Sequence, residues 1–333
     1  MIQNNRLAYI DAVAGLMIVW MILGHCSFFS HYGLPYREYL SFYMPWFFYK
    51  SGFFFFEKSQ CLLLKKDSNK LLRYYIVYSI IGWGVWSICG MIDDTLSLRR
   101  CFAMPLYEFF HHGSISGNGA LWFLFSLFIV RQCSNYLIKQ KVPLPFLKAI
   151  CFVLALLMYK MGWYNYSWWF GNIFSGMFFF LMGYWLKDKE DNSKLFLTSI
   201  IVFGSVLLAY IGGLTMDFPY LYMHANKMYR GDYVLFYPMA LAGIIMTNNV
   251  FRIVSKYVRF QILGYIGRNS MNFYVTHWIL FVAVSFIAKS TFHIDSSFLL
   301  FILLLCSSVV FLPLISKSID TLKANNYYLN KIL

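Results

Sequence analysis

Four ionisable side chains, Asp11, His25, Lys50 and His277, each fall inside a long apolar run. A charged group at the centre of a membrane helix costs about 2.5–3.5 kcal/mol on insertion scales, so each is a candidate for function. An imidazole titrates near neutrality, and it can take a proton from a hydroxyl or carry an acyl group itself. His25 follows Gly24, where a neighbouring backbone or a ligand can come close. A satisfied structural histidine is the competing reading. Asp11 lies fourteen residues before His25. On one helix that spacing puts them on nearly the same face but about 21 Å apart, so Asp11 cannot orient His25 in a compact triad. Helix packing or a dipole role near the helix start is the plainer use for Asp11. Lys50 either snorkels to an aqueous face or binds an anion. His277, three residues after Tyr274, serves an interhelical hydrogen bond or a site.

The elements that must position these groups follow from composition. Of the 333 residues 60% are hydrophobic and 13% charged, against about 25% charged in a soluble domain. There is too little polar surface to coat a globule. Stretches such as 76–88 and 149–157 are apolar without period-2 alternation, which predicts spanning helices rather than barrel strands. The expected class is all-α: a polytopic membrane helix bundle of about ten transmembrane helices in one domain over 1–333. The spans are expected near 7–29, 39–57, 72–92, 117–138, 144–161, 168–186, 196–214, 231–249, 270–289 and 297–316. The first is too long for a signal-peptide core and carries Asp11 and His25, so it reads as a retained helix. The stretch from Ile92 to Ser116 reads as a loop, and the aromatic cluster around Trp163, Tyr166 and Trp169 as an interfacial belt.

The net charge of +14 is explained by topology rather than by nucleic acid, because Lys and Arg sit in short loops between apolar runs. Twenty of the 28 fall in one alternating set of loops and seven, among them Arg37, Lys227 and Arg230, in the other, with Lys50 inside a span. That bias predicts both termini in the cytoplasm. The seven cysteines are scattered without CxxC pairs or zinc spacing, so no metal site and no disulfide framework are expected. No paired carboxylates point to glycoside hydrolysis, and no phosphate-binding loop of the Gly-x-x-x-x-Gly-Lys-Ser/Thr type is present.

Several short elements carry a resemblance in order along the chain. The first span reads Tyr9-Ile10-Asp11, then Gly15, and ends Gly24-His25. Met44-Pro45-Trp46 leads to Ser51-Gly52-Phe53; a basic stretch and Arg73-Tyr74-Tyr75 follow. Then come Leu121-Trp122-Phe123-Leu124, Gly183-Tyr184, and Gly267-Arg268-Asn269-Ser270 with Tyr274 and His277. This pattern resembles the membrane acyltransferase-3 family, including its fucose O-acetylase-like branch.

The resemblance implies transfer of an acyl group, usually acetyl, from cytoplasmic acyl-CoA to a hydroxyl of a cell-surface or exported polysaccharide or a lipid-linked sugar. It implies an inner-membrane location in a bacterium. No cofactor would be permanently bound, and the partners would be acyl-CoA, the glycan acceptor and the lipid bilayer. His25 matches the family's essential histidine. Lys50, Lys70 and Arg73, with Lys65 and Lys66 nearby, would dock the anionic donor. Asp11, Ala14, Ser51, Trp122, Asn269, Tyr274 and His277 would line a passage from the basic face to His25. Ala14 stands where the family usually has Arg or Lys, and an alanine cannot pair a phosphate or polarise a thioester. Lys50, expected at similar depth and about seven residues from its helix end, is the candidate replacement. The alternatives are a transporter or flippase of lipid-linked sugar and a family member that has lost its chemistry.

Overall fold

The computed structural model describes residues 8–26, 40–213, 217–294 and 296–325. Arg6, Arg37 and Lys331, and positions 27–29, 39 and 214 of the expected spans, lie outside them. The described chain is helical apart from one small hairpin. In order it runs α1 (Ala8–His25), α2 (Tyr43–Phe53), α3 (Gln60–Asp67), α4 (Arg73–Ile92), α5 (Leu98–His112), α6 (Trp122–Lys139) and α7 (Leu144–Lys160). It continues with α8 (Trp168–Leu186), α9 (Ser193–Ile211), β1 (Tyr220–Tyr222), β2 (Lys227–Arg230), α10 (Tyr233–Val254), α11 (Gln261–Arg268), α12 (Ser270–Ser290) and α13 (Ser297–Asn325). β1 and β2 pair antiparallel around a short 3₁₀ turn, Met223–Ala225.

Every expected span falls on a helix, but among the described residues seven segments are long and apolar enough to cross a membrane. They are Ala8–His25, Gln60–Ile92, Gly119–Lys139, Ser193–Ile211, Tyr233–Val254, Ser270–Ser290 and Ser297–Asn325. Burial separates them into layers. In Tyr233–Val254 61% of the apolar window is buried and in Ala8–His25 56%, against 11% in Ser193–Ile211. The first two are therefore central, and α9 presents Leu197, Ile201 and Leu208 outward, as a lipid-facing helix does.

Three expectations need correction. The second span is a helix of only 11 residues, about 16 Å long and roughly half a bilayer. The chain leaves the helix after Phe53, and Asn135 takes over the freed backbone: its amide accepts from the Lys58 N–H (3.2 Å) and donates to the Lys58 carbonyl (3.1 Å). Non-helical backbone is tolerated at depth when protein satisfies it in this way. Lys50 is therefore in the last turn of α2, not seven residues from its end. Second, the stretch 92–116 is not a plain loop, because it contains the 15-residue α5. Ser97 caps α5 by accepting from the Arg100 N–H (3.4 Å), and Gly113 ends it in the left-handed region at φ 73°. Third, the first helix ends at His25.

Two crossings hold the centre, and both use glycines on each side. α1 packs on α11, where a methyl at Gly267 would collide with the Asp11 carbonyl oxygen and one at Gly15 with that of Leu263. α2 packs on α8, where Gly52 meets the Phe180 carbonyl and Gly183 that of Tyr49. Backbone contact this close is possible only without a Cβ.

Candidate functional site

Two cavities lie along α1. The larger, about 620 Å³, is walled by α2, α4, α6 and α12 and by the π-helical turn Ser68–Leu72 that joins α3 to α4. Such turns recur at functional sites because the widened helix re-aims its side chains; here Asn69, Lys70 and Leu71 face the cavity. Its described lining holds five cations, Lys50, Lys66, Lys70, Arg73 and Arg131, against one carboxylate, Asp67. Asp67 is buried and already engaged, accepting from Arg131 Nε at 2.8 Å and from Gln132 at 3.1 Å. A second Arg131 nitrogen donates to Ser51 Oγ at 2.8 Å, which orients that hydroxyl on the wall. Lys50 Nζ lies 5.2 Å from the centre of the Trp46 ring, and Trp46 is itself held by its indole N–H on Asn248 (2.8 Å). The surplus positive charge makes this a site for an anionic ligand.

The smaller cavity, about 210 Å³, lies at the C-terminal end of α1. His25, Glu108, His112, Trp122, His224 and Trp278 are among its walls. His25 is half-buried. Its ring stacks on that of His277 at 5.4 Å between centroids and meets Trp278 edge-on at 4.9 Å. His277 is fully buried, and its Nδ1 lies 2.7 Å from the Tyr274 carbonyl oxygen. A carbonyl only accepts, so Nδ1 carries the hydrogen and Nε2 is left as an acceptor. Among the described residues Nε2 has no hydrogen-bond partner.

Tyr274 belongs to both cavities. Its hydroxyl donates to the Ala120 carbonyl, and its ring lies edge-on to Phe123 at 5.7 Å. The expected single passage is thus two chambers that share the Tyr274 wall. Ile18 of α1 lines the basic chamber and His25 the other. Seven residues of helix separate them, about 10 Å.

The expected site residues divide accordingly. Lys50, Lys70, Arg73 and Ser51 converge on the basic chamber, and His25 and Trp122 on the other. His277 sits behind His25. Asp11, Ala14 and Asn269 do not appear on either wall. Asp11 and Ala14 are buried on α1, and the Asn269 amide donates to the Tyr265 carbonyl (3.1 Å) at the junction of α11 and α12.

Sequence reasoning missed Glu108, His224, Trp278 and Asp67, and it assigned Arg131 only to topology. His112 likewise has no sequence motif around it. Ser97 followed by a polar–apolar repeat was the available signal for α5. Nothing local marked His224, which is brought in by the hairpin. The His224 ring lies flat on Trp122 (4.7 Å, 9°), and its Nε2 donates to the His112 carbonyl at 2.8 Å. Burial lowers His112 to about 4 and His224 to about 3, so both rings are neutral near pH 7. Burial also pushes the Glu108 carboxyl above the usual carboxylate range.

A histidine thus ends the first helix, and a cationic chamber lies next to it. The family model described as an acyltransferase domain, acyltransferase-3, matches residues 7–317. The chain belongs to the acyltransferase-3 family. Neither the curated proteins nor the solved structures give a match. Membership together with seven apolar helices marks an acyltransferase of the membrane. The matched segment takes in both chambers and every residue that carried the resemblance.

Proposed function

We propose that this acyltransferase moves an acyl group, acetyl in the simplest case, from cytoplasmic acyl-CoA to a hydroxyl of a polysaccharide or lipid-linked sugar. The reading rests on one observation: His25 and a cluster of five cations line neighbouring chambers with a single tyrosine in both walls. In this reading the Lys and Arg bias sets the basic chamber and both termini on the cytoplasmic side, and the membrane is the inner membrane of a bacterium. Lys50, Lys70 and Arg73 pair the phosphates of the donor, and Lys66 and Arg131 add to the field. The thioester reaches past Tyr274 to His25.

There the acceptor oxygen attacks the thioester carbon. A C–O bond forms, the C–S bond breaks, and the hydroxyl proton passes through His25 to the sulfur, which leaves as free thiol. If the His25 nitrogen attacks first, a C–N bond forms as C–S breaks and is then replaced by C–O, with the same products. His277 lies behind the reacting imidazole and supports its ring from the side away from the chamber. Acyl-CoA is a substrate in this scheme, and no resident cofactor enters it. The fucose O-acetylase-like branch fits the same acceptor chemistry.

A second reading, a member without chemistry, is favoured by Ala14, whose methyl is fully buried and reaches neither chamber. Lys50 on the basic wall supplies a cation that Ala14 does not. The deciding experiment uses purified protein in lipid nanodiscs with acetyl-CoA and an oligosaccharide. Glycan-dependent thiol release that is lost in His25→Ala supports the enzyme. Sugar translocation without thiol release supports the transporter reading instead.

A further inference from the structure

The two chambers differ in charge, and the difference bears on which acceptor can enter. In the basic chamber five cations face one engaged carboxylate. The described lining of the histidine chamber contains no lysine or arginine, and its only carboxyl is Glu108 of α5. His112 lies four residues after Glu108 on the same helix face. Across from them the Trp122 and His224 rings form a flat stacked pair, and the Trp278 ring stands edge-on to His25.

We propose that the histidine chamber is the acceptor site, that it takes an uncharged sugar unit, and that Glu108 binds the sugar hydroxyls. This rests on the acyltransferase reading of His25. A carboxyl is well suited to the task, because its oxygens accept from two neighbouring hydroxyls at once. The aromatic faces match the apolar face of a pyranose.

Exclusion of charge has its own physical cause. Desolvation here penalises ionised groups of either sign: it raises Glu108 and depresses His112 and His224. The same penalty falls on a uronate or a sugar phosphate entering the chamber, and the described walls offer no lysine or arginine to offset it. Size agrees. At about 210 Å³ the chamber is smaller than the roughly 300–1,000 Å³ of a drug-sized site. It holds one sugar ring, and the rest of the glycan stays outside.

The test uses the full chain in nanodiscs with acetyl-CoA and two acceptors, a neutral hexose oligosaccharide and the same chain bearing a uronic acid. Acetyl-CoA binding is measured separately by calorimetry. The neutral chain is expected to show kcat/KM at least ~10-fold above the uronate chain. Glu108→Gln should raise the KM for the neutral acceptor by ~10-fold, the loss of one good hydrogen bond, with donor affinity intact. Intact donor affinity also shows that this variant folds. Equal or better use of the uronate chain overturns the proposal, as does an unchanged acceptor KM in Glu108→Gln. Acetylation of neither glycan in a protein that binds acetyl-CoA, with no difference between wild type and His25→Ala, overturns the acyltransferase reading and this assignment with it.

Discussion

His25 and His277 stack ring on ring, 5.4 Å between centroids, although 252 positions separate them in the chain. α1 ends at the first ring, and α12 carries the second, one turn beyond Tyr274. One imidazole faces a chamber, and the other is sealed behind it with an unused acceptor nitrogen. In the proposed mechanism the first is the reacting group and the second acts through it.

The separation predicts different consequences for the two rings. His277→Phe keeps an aromatic ring against His25 but removes Nε2. We expect kcat to fall about 100-fold, within the usual range for one acid–base partner, with KM for acyl-CoA little changed. Thermal unfolding should show no loss, because a buried acceptor without a partner itself costs about 1–3 kcal/mol. A His277→Phe enzyme with wild-type kcat would remove His277 from the mechanism.

The basic chamber should govern donor affinity and not the chemical step. Lys50→Ala, Lys70→Ala and Arg73→Ala are each expected to raise KM for acyl-CoA about 10-fold or more, as a lost charge-assisted hydrogen bond would. Added salt should weaken donor binding in the wild type and do so less in the variants. Lys50 bears on Ala14 directly: if Lys50→Ala binds acyl-CoA as tightly as wild type, Lys50 does not replace the missing cation.

The glycine crossings make a structural prediction. Gly267→Ala drives a methyl into the Asp11 carbonyl, and Gly183→Ala drives one into that of Tyr49. Overpacking costs about 1–3 kcal/mol, and a clash with backbone leaves no flexible side chain to yield. Both variants should lose yield of folded protein in detergent and melt earlier. Gly84→Ala, where an added methyl meets nothing within 4 Å, is the control and should melt with the wild type.

Glu190 gives a pH signature. It is buried between α8 and α9, and one carboxylate oxygen accepts from Asn248 (2.7 Å) and Tyr49 (3.1 Å). Burial outweighs these bonds and raises its pKa above the ordinary 4.5. The folded state therefore holds this proton more tightly than the unfolded chain. Its contribution is fully present below pH 4.5 and is lost as pH rises through the raised value. Glu190→Gln keeps an oxygen for both donors and should melt higher than wild type at pH 8, with the gain vanishing near pH 4. Glu190→Ala strands both donors and should cost about 1–3 kcal/mol. Equal pH dependence in wild type and Glu190→Gln would contradict the raised pKa.

The membrane class was legible in composition, because a long apolar helix needs no partner to be recognised. His25, Lys50, Lys70 and Arg73 were legible for a related reason: a charge beside or inside hydrocarbon stands out against its own neighbours. The motif glycines were visible as a pattern, yet their purpose, two crossings at backbone contact, appears only when α1 meets α11 and α2 meets α8. Folding also decided what local pattern could not. It shortened the second span, because Asn135 from a distant helix satisfies the backbone after Phe53. It put Tyr274 between two chambers, and it brought Glu108, His112 and His224 to face His25. Periodicity reports which face of its own helix a residue occupies. Which faces meet across the bundle depends on contacts between residues as far apart as Asp11 and Gly267, and only the packed chain supplies those.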